Sequence, residues 1–196
     1  MKLFNIWDTE GIKILDPGLG RYINLNERLI PRTAGRNTGV KFHKSNYHIV
    51  ERLMNKLMIP GHKGKKHKIT SGHTTGKVVK VYNIVEESFR IIEKKLNKNP
   101  VEVFVKAIEN SAPREEITTI EYGGARYPKA VECSPQRRID IVLRFMTQGA
   151  YAASFNKKKS VVSALSEEII NAYNLSINSN AIAKKNELER QADSSR

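Results

Sequence analysis

The sequence is short of cysteine, aromatic side chains and long apolar runs, and each shortage excludes a class of protein. Cys133 is the single cysteine, so the chain has no internal disulfide and no cysteine-based zinc ribbon or knuckle. Aromatic residues make up 7% of the 196 residues, which is lean but compatible with a helical domain carrying polar tails. No window approaches about 18 uninterrupted apolar residues, and the start of the chain lacks the apolar core of a signal peptide. We therefore expect a soluble, intracellular protein.

Acidic residues are almost absent from one quarter of the chain. The sequence has 34 Lys and Arg against 20 Asp and Glu, a formal net charge of +14. Residues 28–80 hold 13 of the basic residues and a single acid, Glu51, and residues 114–159 hold nine basic residues against five acids. A polyanionic partner would relieve the self-repulsion that such a charge creates. Nucleic acid is the first candidate, and an anionic membrane surface is the second.

Apolar periodicity predicts a mainly α-helical single domain. Apolar residues recur at helical spacing after Ser45, which we expect to be an N-cap. The same spacing begins again at Val78, Val101, Ser134-Pro135 and Ser160. Residues 1–44 lack this periodicity, so we predict an irregular, extended basic arm there. The predicted organisation is an arm at 1–44, a helical RNA-binding domain at 45–176 and a C-terminal helical tail at 177–196. The tail is weakly amphipathic, so we expect it to fold against a neighbour or to fray.

The period changes to two near the middle of the chain. Residues 116–122 and 125–131 follow the period-two pattern of a β-strand, and they flank Gly123-Gly124. This predicts a β-hairpin over about 115–132. Pro128 confines its strand to an edge or to a ribbon that projects from the domain. Because a lone hairpin is marginally stable in water, we expect something else to hold this ribbon in place.

No motif in the chain predicts catalysis, a nucleotide or a metal. Gly72 and Gly76 have three residues between them, and Lys77 is followed by Val78, so this segment fails the phosphate-loop pattern. His62, His67 and His73 lie among lysines that repel cations, and no cysteine or carboxylate completes a metal site. Cys133 has no evident catalytic partner. The sequence therefore predicts a protein that is not an enzyme and needs no cofactor.

Two arginines open the helix that follows Ser134-Pro135. Arg137 and Arg138 fall in its first turn, where a phosphate would meet both backbone N–H groups and guanidinium groups. Arg144 lies seven residues beyond Arg137 and extends the same stripe. The alternative is that the two arginines simply pair with Glu132 and Asp140. Of these two interpretations, we favour phosphate binding.

The order of these elements resembles a known family. Residues 101–113 (VEVFVKAIENSAP), Tyr122-Gly-Gly-Ala-Arg-Tyr-Pro128 and Ser134-Pro-Gln-Arg-Arg138 are similar to the S-seven family of small-subunit ribosomal proteins. The resemblance runs from about Ser45 to the last residue. The closing segment, the arm and the basic loop at 61–77 resemble the archaeal and eukaryotic branch, and the lack of a long further N-terminal extension favours the archaeal side.

The resemblance implies a structural role in the cytoplasmic small ribosomal subunit. Family members bind the 3′ major domain of small-subunit rRNA and nucleate assembly of the subunit head. Their hairpin lies near the exit tRNA site and the mRNA path, and their C-terminal segment lies near a protein of the S-eleven family. Together with the basic stretches, this predicts a set of RNA-binding residues: Arg28, Arg32, Arg36, Lys41, Lys63, Lys65, Lys66, Lys68, Lys77, Arg114, Arg126, Lys129, Arg137, Arg138, Arg144, Lys157, Lys158 and Lys159.

Three other classes of protein remain as alternatives. The first is a generic basic RNA-binding accessory protein outside the ribosome. The second is a nucleic-acid-processing enzyme, but a metal-dependent nuclease needs acids at the basic surface, and residues 28–80 offer only Glu51. The third is a peripheral membrane protein, but Ile69 is the only large apolar residue within 61–77.

Overall fold

The structure, a computed structural model, describes residues 1–34, 39–59 and 76–196. It is mainly α-helical with one antiparallel hairpin, which confirms the predicted fold class. The elements in chain order are α1 (Pro17–Gly20), α2 (Ile49–Leu57), α3 (Val78–Leu96), α4 (Pro100–Ser111), β1 (Glu115–Tyr122), β2 (Ala125–Glu132), α5 (Pro135–Ser154), α6 (Val161–Tyr173) and α7 (Asn180–Asp193). A 3-10 turn, His43–Asn46, precedes α2. None of the described helices is long and apolar enough to cross a bilayer.

Apolar stripes from five helices meet in one core. In α3 the buried stripe contains Val81, Val85, Phe89 and Ile92, at the spacing that the sequence predicted. The other helices contribute the fully buried residues Ile49, Leu53, Phe104, Ile108, Ile139, Leu143, Met146, Leu165 and Ile169. The shared burial of these side chains stabilises the bundle and fixes the relative positions of its helices.

The start of α2 differs from the sequence prediction. Ser45 is not an N-cap; it lies in the 3-10 turn, where its hydroxyl hydrogen-bonds to the side-chain amide oxygen of Gln136 in α5. The N-cap is His48, whose Nδ1 accepts a hydrogen bond from the Val50 N–H at 3.2 Å. The neutral imidazole of His48 therefore caps α2 in place of the Ser45 hydroxyl that the sequence predicted.

Apolar side chains of the first half of the N-terminal segment are buried, whereas its irregular sequence predicts an extended arm. Leu3, Phe4, Trp7, Leu19 and Ile23 are buried in the same core as the helices. The Trp7 ring packs edge-on against Phe89 of α3 at 5.7 Å. Its indole N–H also donates to the Glu93 carboxylate at 3.1 Å. The first half of the segment is thus part of the folded domain, although it has little regular structure.

The β-hairpin is held at its base by α7. Strands β1 and β2 pair directly, with Ile120 opposite Tyr127. Gly123 and Gly124 form the turn with φ of 57° and 82°, the left-handed conformation that a tight two-residue hairpin needs. At the base, the Glu189 carboxylate of α7 accepts the Arg114 N–H at 3.1 Å. The predicted tail is therefore a helix that packs on its own domain, and it supplies part of the support that a lone ribbon requires.

The core has members on both sides of the two predicted domain boundaries. Trp7 and Leu53 lie on either side of residue 44, and Leu165 and Ile182 lie on either side of residue 176, yet all four are in one cluster. The division at 44 and 176 stays a prediction. In the described residues the hydrophobic core does not stop at either position.

Candidate nucleic-acid interface

Basic side chains gather around Asp140, where the turn before α2, α2 and α5 meet. Arg52 Nη2 donates to Asp140 Oδ1 at 3.1 Å, and Lys44 Nζ donates to Oδ2. The Arg52 side chain is 4% exposed, and its Nη1 also donates to the Tyr22 carbonyl at 3.0 Å. Burial opposes ionisation of Asp140, but the hydrogen bond from Lys44 and the charge of Arg52 outweigh it and lower the pKa of Asp140. The carboxylate is therefore charged at neutral pH and orients both cations.

Lys56 and Arg144 bring two further positive charges to this place. Burial lowers the pKa of Lys56, and the charge of nearby Arg144 adds to that effect while Asp140 opposes it. Arg144 is exposed on α5 and forms no ion pair with the described residues. Lys44, Arg52, Lys56, Asp140 and Arg144 are named the Asp140 cluster below. Lys44 and Arg52 pair with Asp140, whereas Lys56 and Arg144 form no ion pair with the described residues, so the cluster retains excess positive charge that a phosphate would neutralise.

Arg138 points into the protein. Its Nε donates to the Pro113 carbonyl at 3.0 Å, and its Nη2 donates to Asp16 Oδ2 at 2.8 Å. The side chain is 10% exposed. The guanidinium joins α5 to the N-terminal segment and to the end of α4, so the predicted contact of Arg138 with RNA, which stays a prediction, would have to replace these hydrogen bonds.

Arg137 stays at the surface, beside the hairpin. Its Nε donates to Glu116 Oε2 at 2.8 Å, and this hydrogen bond raises the pKa of Arg137. The carboxylates considered from the sequence, Glu132 and Asp140, are not its partners in the described structure. Arg137 is half-exposed and could exchange its carboxylate for a phosphate without leaving a buried group unpaired.

Cys133 is a structural thiol. It is buried at the end of β2, and its Sγ lies 3.4 Å from Glu116 Oε1. Burial, followed by the neighbouring Glu116 carboxylate, raises the pKa of Cys133 to about 11. A thiol in this state holds its proton at neutral pH and is a poor nucleophile. Among the described residues, no group of His, Cys, Asp and Glu could hold a metal ion.

The other predicted RNA-binding residues mostly lie at the surface. Those described as exposed are Arg32, Lys41, Lys77, Arg114, Arg126, Lys129, Lys157 and Lys158. Arg28 and Lys159 are half-buried, and Lys159 pairs with Glu167. Arg126 lies 3.6 Å from Glu121, which is too long for a strong ion pair. Arg36, Lys63, Lys65, Lys66 and Lys68, together with His62, His67 and His73, lie outside the described residues.

The outer half of the hairpin carries exposed apolar rings. Tyr122 is 82% exposed and Tyr127 58% exposed, while Ile120, opposite Tyr127, is 43% exposed. Side chains opposite each other in an antiparallel pair share a face, so Ile120 and Tyr127 lie side by side. Lys129 is exposed two residues beyond Tyr127, on the same face. Rings beside a cation are a suitable surface for unpaired bases.

Comparison with known proteins gives the family. The model described as "Ribosomal protein S7p/S5e" matches residues 20–196 of this chain. The chain belongs to this family. It is 57% identical over 196 residues to the small ribosomal subunit protein uS7 of Nanoarchaeum equitans, covering all of this chain and 99% of that protein. It is 45% identical over 194 residues to the proteins of the same name from Archaeoglobus fulgidus and Cenarchaeum symbiosum, covering 99% of this chain and 94% and 96% of theirs.

Membership of the S7p/S5e family confirms the resemblance seen in the sequence, and these relatives come from archaea, as expected. The family consists of structural ribosomal proteins and not of enzymes. Sequence reasoning alone missed Arg52 and Lys56 as parts of the basic cluster. Their spacing of four residues on α2, one helical turn apart, was the available signal. Their proximity to Asp140 and Arg144 of α5 could not be predicted from the sequence, because it depends on how α2 and α5 pack.

Proposed function

We propose that the protein is a structural component of the small ribosomal subunit that binds the 3′ major domain of small-subunit rRNA and nucleates assembly of the head. The Asp140 cluster, on a chain of the S7p/S5e family, is the observation that carries this proposal. Its surplus cations would neutralise phosphates of two RNA segments that approach each other. The helices would then hold those segments at a fixed separation.

Asp140 has a specific part in this mechanism. A long lysine loses much rotamer freedom when it binds a phosphate, and a side chain that is already held loses less. Asp140 holds Lys44 and the buried Arg52 before RNA arrives. Arg144 and Lys56, which lie at the same place, supply the uncompensated charge. Binding of this kind reads the backbone and shape of RNA more than its base sequence.

The hairpin and the C-terminal helix are proposed to reach other components. The hairpin would lie near the exit tRNA site and the mRNA path, where exposed Tyr122 and Tyr127 can stack on unpaired bases. The segment 177–196 would lie near a protein of the S-eleven family. The outward side of α7, with exposed Asn186 and Arg190, is the surface available for that contact.

A salt titration tests the RNA assignment. Binding would be measured to a transcript of the 3′ major domain and to an unrelated structured RNA of equal length. We expect a preference of about a hundredfold or more for the first RNA at physiological salt, within the range of specific complexes. The double variant Lys56→Gln/Arg144→Gln should weaken binding and lower the salt slope by roughly 1 to 2, because two phosphate contacts are lost.

The matched control changes the same charge elsewhere. Lys13→Gln/Lys94→Gln removes two exposed lysines that are not in the Asp140 cluster, and it should leave the preference and most of the salt slope unchanged. Equal affinity of the wild-type protein for the two RNAs would refute the specific proposal. That result would favour the alternative, a generic basic RNA-binding accessory protein outside the ribosome.

A further inference from the structure

A small cavity lies between the end of the N-terminal segment, α2 and the start of α3. Its volume is about 210 Å³, and the residues that line it include Arg32, Thr33, Tyr47, Glu51 and Asn55. This is below the roughly 300–1,000 Å³ typical of sites for drug-sized ligands, so the cavity suits one small group. Residues 35–38, which follow Ala34, lie outside the described residues, and no part of the site is placed on them.

Glu51 is the chemically unusual member of this cavity. It is 5% exposed. Its Oε1 accepts two hydrogen bonds, from the Thr33 N–H at 2.8 Å and from the Thr33 hydroxyl at 2.6 Å. Its Oε2 is buried and has no hydrogen-bond partner among the described residues. A buried, unpaired carboxylate oxygen is costly, so a ligand that donates a hydrogen bond to it would be bound favourably.

The charge around Glu51 narrows the choice of ligand. Glu51 is the only acid among residues 28–80, which carry 13 cations. A carboxylate repels phosphate, so it weakens binding to an RNA backbone. It is an effective partner for the N–H groups of a base edge. Arg32 and Tyr47 in the same lining are planar groups of the kind that stack on bases.

Among the four bases, guanine fits best. Its Watson–Crick edge presents two adjacent donors, N1–H and the N2 amino group. Adenine and cytosine place a ring nitrogen acceptor beside their amino group, and uracil places carbonyls on both sides of its N3–H, so each would set a lone pair against the carboxylate. We propose that this cavity binds an unpaired guanine of the RNA, with Glu51 Oε2 accepting hydrogen bonds from its Watson–Crick edge. The inference rests on the proposed RNA-binding function and adds base recognition to it.

Footprinting of the complete protein on the 3′ major domain transcript tests the inference. Kethoxal attacks N1 and N2 of guanines whose Watson–Crick edge is free, while hydroxyl radicals report protection of the RNA backbone. With the wild-type protein, we expect at least one unpaired guanine inside the backbone footprint to become protected from kethoxal. In Glu51→Gln this guanine should regain its reactivity, and affinity should fall by about tenfold, the loss of roughly one good base contact.

The Glu51→Gln change is informative because of Thr33. The two Thr33 donors require an acceptor, so the amide oxygen of glutamine keeps the Oε1 position. The new NH₂ group then replaces Oε2 and faces the donors of guanine. Glu87→Gln, at an exposed position of α3, is the control for the loss of one negative charge and should leave guanine protection unchanged. If circular dichroism shows that Glu51→Gln is misfolded, Asn55→Trp decides, because it fills the cavity from an exposed position of α2.

The two readouts separate the inference from the proposed function. A normal backbone footprint, with the same guanine reactivity for the wild type and the cavity variants, would overturn guanine binding and leave the ribosomal proposal in place. Absence of any backbone footprint with the wild type would overturn both. Protection lost only in the cavity variants supports both.

Discussion

Arg138 and Asp16 are 122 residues apart in the sequence and joined by a hydrogen bond of 2.8 Å between Nη2 and Oδ2. The same guanidinium donates through Nε to the Pro113 carbonyl at 3.0 Å. The Arg138 side chain therefore links α5 both to the N-terminal segment and to the junction between α4 and the hairpin. Arg138 is 10% and Asp16 24% exposed, so the pair is largely shielded from screening by water and salt.

Replacing Arg138 should destabilise the fold. Arg138→Ala removes the donor to Asp16 Oδ2 and to the Pro113 carbonyl, and we expect the free energy of unfolding to fall by about 2–4 kcal/mol. Urea denaturation at neutral pH measures this. Arg137→Ala, in the same turn, breaks only a half-exposed ion pair and should cost less than about 1 kcal/mol. Equal effects of the two changes would contradict the assignment of Arg138 as the buried member.

His48 should make the protein sensitive to mild acid. The side chain is fully buried, and burial, assisted by the charge of Arg28, lowers the pKa of His48 from 6.5 to about 4. Between pH 6.5 and 4, His48 is protonated in the unfolded chain but stays neutral in the folded protein. The stability contributed by the neutral imidazole is therefore complete above pH 6.5 and is lost as the pH falls toward 4, by up to about 3 kcal/mol.

The variant His48→Asn tests this pH dependence. Asparagine is a good N-cap and does not titrate, so the slope of unfolding free energy between pH 5 and 6.5 should flatten. Chemical denaturation at several pH values measures the slope, and the slope is compared because truncation also changes packing. His43→Asn, on the preceding turn, should keep the wild-type slope. An unchanged slope in His48→Asn would show that other groups control acid sensitivity.

Gly149 allows α5 to approach the start of α7. A Cβ added at this position would lie 2.7 Å from the Asn180 Cβ and 3.1 Å from the Glu168 carboxyl carbon. Glu168 is itself committed, because its Oε1 accepts from the Ser179 hydroxyl at 2.8 Å and the Ala181 N–H at 3.0 Å. These contacts leave little room for the neighbours to shift.

Gly149→Ala should therefore destabilise the protein by about 1–3 kcal/mol, the usual cost of overpacking. At an exposed helical position the same change would be favourable by up to about 1 kcal/mol. Thermal and urea denaturation measure the effect. Ala152→Gly, at an exposed position of the same helix, isolates the helix-propensity contribution. A Gly149→Ala protein of equal or greater stability would show that the α5–α7 contact can widen freely.

Local patterns predicted the regular elements well. The α3 stripe ending in Phe89 and Ile92, and the hairpin around Gly123-Gly124, were readable because their signals are local. The start of α2 was predicted wrongly. Ser45 is a residue type suited to capping, but its hydroxyl donates a hydrogen bond to the side chain of Gln136 in α5. No local pattern reveals this partner. The same limit applies to the candidate site, where basic residues were identified but their partition between surface and interior was not.

The sequence by itself determined the mainly helical class, the hairpin and the concentration of positive charge, because backbone periodicity, turn residues and charge counts are properties of neighbours along the chain. Only the tertiary structure decided that the irregular N-terminal segment is buried through Trp7, that Arg138 is enclosed while Arg144 is exposed, and that Asp140 collects cations from two distant helices. These outcomes depend on helix packing, which brings together residues about a hundred positions apart and decides which long side chains reach water.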